Sequence, residues 1–334
     1  METISVIIPV YNSGKYIKRC FDSLLRQDIK ETYKVYIIDD GSTDNSAIIS
    51  RNYCENYPSL FTYYYKANGG LSSARNYGLD ISESKYVVFV DSDDYVEDNY
   101  LSILLQLCIE NDAQLSMCGM NRVYGDDGIG RRFSSGFSSS FVSEEIDSLL
   151  LTSSFAAWNK MISRELIGDL RFPDGITYED FALIPQIMNR AKRIAYNHTI
   201  LYHYYANPNS IISMANRCKI TDRNIINAQH ILEKSDLKDK PLVLENLYLR
   251  RVLSSMAWSL LEYNEGNDKV QILVNEAYEK YPNIRKNPYI SSSPFILKVF
   301  LMLILSNRIE MGALWVKQYC LLRQIINRFR KRNH

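Results

Sequence analysis

The sequence predicts an α/β protein: a doubly wound, mainly parallel sheet followed by a helical carboxyl-terminal region. Three observations predict it. Short apolar runs alternate with helical patterns as far as Asp94, as in a chain of βα units. Those runs end in acidic or Gly-rich segments, where such a sheet opens its ligand crevice. From about Lys219 onward apolar residues recur at helical spacing only. The 334 residues exceed one typical domain. The boundary is expected near Arg217, which gives domains of 1–217 and 218–334.

Residues 4–10 read as the first strand, leading into Tyr11-Asn12. Ile17, Cys20, Phe21, Leu24 and Leu25 mark one face of a helix. Residues 33–38 form a second strand that runs into Asp39-Asp40-Gly41-Ser42-Thr43-Asp44. Residues 46–57 read as a helix, stopped by Pro58. A third strand, 61–65, precedes the turn Asn68-Gly69-Gly70 and a helix bearing Arg75. Residues 86–90 are five apolar residues in a row, a strand buried on both faces. Asp91-Ser92-Asp93-Asp94 follows at its carboxyl end. A helix is expected over 95–111 and a strand over 114–124. Residues 125–140, rich in Gly, Ser and charge, read as a surface loop or lid. Residues 146–151 read as a helix, Phe172-Pro173-Asp174-Gly175 as a turn, and Tyr178-Glu179-Asp180 as the start of a helix to about Ala191. Short strands are expected at 193–196 and 199–205.

Composition narrows the function classes. Hydrophobic content is 46% and charged content 23%, enough for a sizeable core in a soluble protein. A net charge of +1 argues against a nucleic-acid partner. The six cysteines form no C-x-x-C pair and the four histidines are dispersed. Neither zinc nor a disulfide framework is expected, and reduced thiols suit a cytoplasmic chain. The chain begins in a strand, so no signal peptide is expected. The apolar run 295–305 is interrupted by Lys298 and is too short to span a bilayer.

Three carboxylates at the rim of an apolar strand are costly to gather. A divalent cation would offset that cost, because hard cations take oxygen ligands. The plainer reading of the same residues is an Asx-rich turn capping the next helix. Asp39 and Asp40 suit a ribose hydroxyl or a base N–H, or simply an Asp-Gly turn. Asn68 and Gly69 let backbone approach a ligand, and Arg75 offers a fork for phosphate. Glu179 and Asp180 suit a helix N-terminus, or a general base. Trp158 suits a sugar face or the core. His203 lies in an aromatic strand, where a core role is commoner than a ligand role. No G-x-G-x-x-G follows the first strand, no P-loop occurs, and no G-x-S-x-G elbow appears.

Taken together, residues 6–12, 38–44, 68–76 and 91–94, with Trp158-Asn159-Lys160 and Tyr178-Glu179-Asp180, resemble family 2 of the inverting glycosyltransferases with the GT-A fold. The likeness covers roughly residues 1–215 and implies a donor half of about 1–95 and an acceptor half of about 96–217. It implies that Pro9, Tyr11, Asp39 and Asp40 hold the base of a UDP-sugar. Asn68, Gly69, Arg75, Asp91 and Ser92 would reach the rest of the nucleotide, and Asp94 would face the donor sugar. Asp93, with Asp91, would ligate Mn²⁺ or Mg²⁺, with His203 as a further ligand. Asp180 would be the base, supported by Glu179, and Trp158 and Lys160 would meet the acceptor. Similar proteins build capsular, exopolysaccharide or wall polymers, so a lipid-linked saccharide acceptor is implied.

Two other classes stay open at this point: a non-catalytic nucleotide-binding subunit of an assembly complex, and a nucleotidyltransferase. A different nucleotide sugar or a protein acceptor is the alternative within the class. After Glu310 the chain has no acid, while Arg323, Arg328, Arg330, Lys331 and Arg332 accumulate. That end suits either the inner face of the membrane or a homodimer contact.

Overall fold

A computed structural model describes residues 2–124, 129–133, 137–207, 221–262 and 266–332. Ten strands form one mixed sheet: β1 (Ile4–Val10), β2 (Tyr33–Asp39), β3 (Phe61–Tyr65), β4 (Tyr86–Phe89), β5 (Tyr95–Val96), β6 (Leu115–Tyr124), β7 (Ile129–Phe133), β8 (Phe141–Ser143), β9 (Lys160–Ser163) and β10 (Ile194–Tyr205). The first half runs parallel in the order β3-β2-β1-β4. Helices α1 (Ile17–Leu25), α2 (Ser46–Asn56) and α3 (Leu71–Ile81) alternate with these strands. Every residue of β1 is buried, because a central parallel strand is covered on both faces.

One glycine sets a critical distance here. A β-carbon on Gly78 would lie 2.4 Å from Cγ2 of Ile7. Helix α3 therefore lies closer to β1 than any side chain at that position allows. Arg75, one turn earlier on α3, is carried beside Phe89 of β4, with its guanidinium 5.9 Å from the ring centroid.

Beyond β4 the sheet changes direction. β9 runs antiparallel between β4 and β6, with Val87 opposite Ile162 and Ser116 opposite Met161. β10 then lies parallel to β6. Helices α4 (Tyr100–Glu110), α5 (Ile146–Thr152), α6 (Arg164–Ile167) and α7 (Glu179–Arg190) complete this half.

Three local expectations are revised, and one strand was not expected. Tyr95 and Val96 open no helix; they pair with His203 and Tyr202 of β10, and α4 starts at Tyr100. Stacking of Tyr95 on His203, with ring centroids 4.5 Å apart, outweighs the local helical preference. Residues 125–140 include β7, which pairs with β6; 125–128 and 134–136 lie outside the described residues. The two strands expected at 193–205 are one strand, whose register against β6 shifts near Ile200. β9 carries no sequence signature of its own and becomes a strand because β4 and β6 flank it.

The chain divides into two compact units, Met1–Lys219 and Ile220–His334. The boundary expected near Arg217 lies outside the described residues. The second unit's described residues are helical, from Thr221–Lys234 to Ile309–Arg332. Leu232, Leu247, Leu253, Ala277 and Ile304 form part of its buried interior. Among the described residues no helix is long and apolar enough to cross a membrane.

Candidate active site at the carboxyl ends of the strands

The loop after β1 is laced to the loop after β2. Asn12 adopts a left-handed backbone, φ 49°, which asparagine tolerates better than most residues. Its Oδ1 accepts from the Thr43 N–H at 2.8 Å and the Asp44 N–H at 3.3 Å. The Ser13 and Gly14 N–H groups donate back to Ser46 Oγ and Asp44 Oδ2. These contacts leave the Tyr11 side chain on the surface, 54% exposed, while Pro9 stays buried within β1.

Asp39 and Asp40 turn inward. Asp39 accepts from the Ser42 N–H at 2.8 Å and the Tyr63 hydroxyl at 2.6 Å. Asp40 accepts from Lys66 Nζ at 2.6 Å and from the Gly69 and Gly70 N–H groups at 2.9 and 2.7 Å. Asn68 caps the arrangement by donating to the Asp40 carbonyl. The Gly-rich turn thus wraps an internal carboxylate. Asp39 is fully buried and Asp40 nearly so, with both Asp40 oxygens already engaged.

The turn after β4 sorts its four residues by direction. Asp94 is fully buried; its oxygens accept from the Tyr202 hydroxyl and the Tyr205 N–H, both at 2.7 Å. Both oxygens are thus committed to β10, at the residue for which the resemblance implies a donor-facing role. Ser92 lies 2.7 Å from Ser13, hydroxyl to hydroxyl, and ties this turn to the β1 loop. Asp93 accepts from the Asn207 amide at 3.0 Å. The Asp93 carbonyl accepts from Arg19, whose guanidinium lies over the Tyr95 and Tyr205 rings. Burial and the charge of Asp91 push the Asp93 carboxyl up from its ordinary value.

Arg75 joins the two halves. Its side chain is 1% exposed. Nη2 donates to Asp91 at 2.9 Å, and Nη1 donates to Glu179 at 2.9 Å and Asp180 at 2.6 Å. The cation is held by three carboxylates, and their charges raise its pKa against the opposing pull of burial. Its fork is engaged by carboxylates of the protein itself. The Phe172 ring lies 5.1 Å from the guanidinium and excludes water from one side.

Glu179 and Asp180 open α7. Tyr178, just before them, has a left-handed backbone, φ 67°, a strained position for an aromatic residue. The Asp180 side chain retains 20% exposure. Its Oδ2 accepts from the Ala157 N–H at 3.0 Å. Burial pushes the Asp180 carboxyl up, against the lowering pull of Arg75, the Ala157 N–H and Lys160. Burial and the neighbouring Asp180 charge push Glu179 up to about 7.

Three further residues are held by their neighbours. Lys160 is fully buried; Nζ donates to the Ala156 carbonyl and to Asn159 Oδ1, both at 2.7 Å. Trp158 is half-buried and stacked on Tyr202 and Tyr204, with ring centroids 4.5 and 5.6 Å apart. Its indole is part of an aromatic column over β10 rather than a free platform. His203 stacks on Tyr95, and its Nε2 lies 2.7 Å from Glu97 Oε1. Those partners engage the imidazole in place of Asp91 and Asp93.

Among the described residues no three carboxylates, thiols or imidazoles gather as a complete cation site. Asp93, crowded by the like charge of Asp91, is nevertheless a hard oxygen donor that a cation would relieve. One or two carboxylates completed by phosphate oxygens and water form a donor set suited to Mg²⁺ or Mn²⁺. Sequence reasoning missed Asn12, Lys66, Arg19, Tyr202 and Asn207. Only Asn12 carries a signal, an asparagine in a tight turn after a strand.

The fold is of the GT-A class, a mostly parallel mixed sheet with helices. The structure aligns with the *Staphylococcus aureus* TarS fragment 1–349 in complex with UDP-GlcNAc, with a TM-score of 0.72 and 21% identity over 96% of this chain and 92% of that one. The chain belongs to glycosyl transferase family 2, whose pattern matches residues 5–171. Among its relatives is the uncharacterized glycosyltransferase YibD of *Escherichia coli* K12, 31% identical over 69% of this chain and 70% of that protein. Another is the minor teichoic acid biosynthesis protein GgaB of *Bacillus subtilis*, 27% identical over 77% of this chain but only 29% of that protein.

Proposed function

We propose that this glycosyltransferase moves a sugar from a UDP-sugar to a hydroxyl of a saccharide acceptor, inverting the anomeric carbon, in the synthesis of a cell-surface polymer. The observation that carries the reading is the convergence of Asp91, Arg75, Glu179 and Asp180 at one point where the strands end. The donor half and the acceptor half share that point. The TarS fragment's UDP-GlcNAc complex and the GgaB name support the donor class and the polymer.

In this reading Tyr11 and the Asp40–Lys66 pair frame the base. Asp93, with Asp91 beside it, would hold Mn²⁺ or Mg²⁺ against the diphosphate. The bound cation supplies charge neutralisation for the leaving group. Asp180 accepts the proton of the acceptor hydroxyl. The hydroxyl oxygen attacks C1 opposite the diphosphate, and the C1–O bond breaks with its electron pair leaving on UDP. Arg75 and the Ala157 N–H hold Asp180 in place while this occurs.

The acceptor is read as lipid-linked. Phe295, Met302, Met311 and Leu314 are exposed on the last helices, and basic residues follow from Arg323. That combination favours contact with an anionic membrane face. Flotation with phosphatidylglycerol vesicles but not with phosphatidylcholine vesicles is expected; a soluble homodimer that floats with neither overturns the membrane contact.

Asp180→Asn tests the central claim. Transfer is expected to fall by 10³-fold or more, as on removal of an essential base, while UDP binding persists. Wild-type turnover in that variant removes Asp180 from the role.

A further inference from the structure

The segment from Phe155 to Lys160 is held at nearly every residue. The Trp158 carbonyl accepts from the Tyr100 hydroxyl at 2.7 Å. Asn159 exchanges two bonds with the backbone of Cys118 on β6, one donated by its side-chain amide and one accepted by its carbonyl. Lys160, the first residue of β9, reaches back to the Ala156 carbonyl. The next residue, Ala157, donates its N–H to Asp180. A neutral donor would satisfy the Ala156 carbonyl equally well. Burying an ammonium there is costly unless a carboxylate answers it. The carboxylate that answers it is Asp180: burial lowers the Lys160 pKa to about 8, against the raising pull of the Asp180 charge.

We propose that Lys160 is a positioning residue for Asp180: its ammonium pins the turn whose Ala157 N–H grips the carboxylate, and its charge offsets that of the carboxylate. This rests on the proposed role of Asp180 as base. Lys160 acts through Asp180 and touches no substrate. The charged groups around Asp180 are Arg75 on α3, Asp91 after β4, Glu179 on α7 and Lys160 on β9. Facing Lys160 are Asp180 and the Cys118 thiol on β6, and burial pushes that thiol up to about 12. Among the described residues Lys160 and Arg75 are cations set against this carboxylate cluster.

The test is the pH dependence of kcat/KM in the full chain, comparing wild type, Lys160→Met and Lys160→Arg, with UDP affinity as the check on folding. Loss of a nearby cation raises a carboxylate's pKa. Lys160→Met is expected to move the acid limb up by about one pH unit and to lower kcat by roughly tenfold. UDP affinity stays within twofold. Lys160→Arg keeps the charge, so its acid limb stays at the wild-type pH even where kcat falls. An acid limb in Lys160→Met that superimposes on wild type overturns the proposal. Should Lys160→Met fail to bind UDP, Lys160→Gln, which keeps a donor without the charge, carries the same comparison. An active Asp180→Asn variant sinks the reading of the base itself. An inactive one beside an unmoved limb in the Lys160 variants sinks only the positioning role.

Discussion

Nη1 of Arg75 on α3 lies 2.6 Å from Oδ1 of Asp180 on α7, across 105 positions of sequence. The same guanidinium nitrogen bonds Glu179, and its twin bonds Asp91. One buried cation thus orders the carboxylates of both halves. Bonds between a guanidinium and carboxylates in a dry site are strong, and their geometry fixes where the Asp180 lone pairs point.

Arg75→Met leaves three carboxylates without their cation. Breaking a buried pair of this kind costs about 3–5 kcal/mol. The urea midpoint is expected to drop accordingly, with Arg75→Lys recovering part of the loss because it keeps charge but not the fork. An unfolding free energy within about 0.5 kcal/mol of wild type would show that the cluster does not depend on Arg75.

Glu179 makes stability depend on pH in an unusual direction. Its folded pKa of about 7 lies above the ordinary 4.5. Between those values the folded chain holds a proton that the unfolded chain has released, so this group's contribution is complete below pH 4.5 and is lost as pH rises through 7. Glu179→Gln removes that loss. Its thermal midpoint relative to wild type is expected to be higher at pH 8 than at pH 5. Equal differences at the two pH values contradict the assignment.

Asp93→Ala tests the proposed cation. Titration calorimetry of UDP into wild type is expected to show binding at least tenfold tighter with Mn²⁺ than with a chelator, a coupling of about 1.4 kcal/mol. The variant is expected to bind UDP equally with and without the ion. A wild type indifferent to Mn²⁺ would remove Asp93 from that role.

Much of the crevice was legible in the sequence. The placement of Tyr11, Asp39, Asp40 and Asp91 to Asp94 at strand ends follows from the alternation of apolar runs and polar turns. What was not legible is the direction each side chain takes. Asp94 and Asp93 are neighbours of one type, yet Asp94 is sunk against Tyr202 and Tyr205 while Asp93 meets Asn207. Lys160 follows the same rule. The resemblance implies an acceptor contact for it, and the packing of β9 between β4 and β6 makes it interior.

The sequence by itself determined the α/β class, the order of strands and helices in the first half, and which loops carry carboxylates. Those properties are local, because hydrophobic period and turn chemistry act within a few residues. The tertiary structure alone decided that Arg75, Asp91, Glu179 and Asp180 form one cluster and that His203 stands outside it. Such partners meet through the crossing of α3 over β1 and the entry of β9 beside β4. The energy of a buried charge depends on the donors that distant segments bring to it, and no local pattern encodes them.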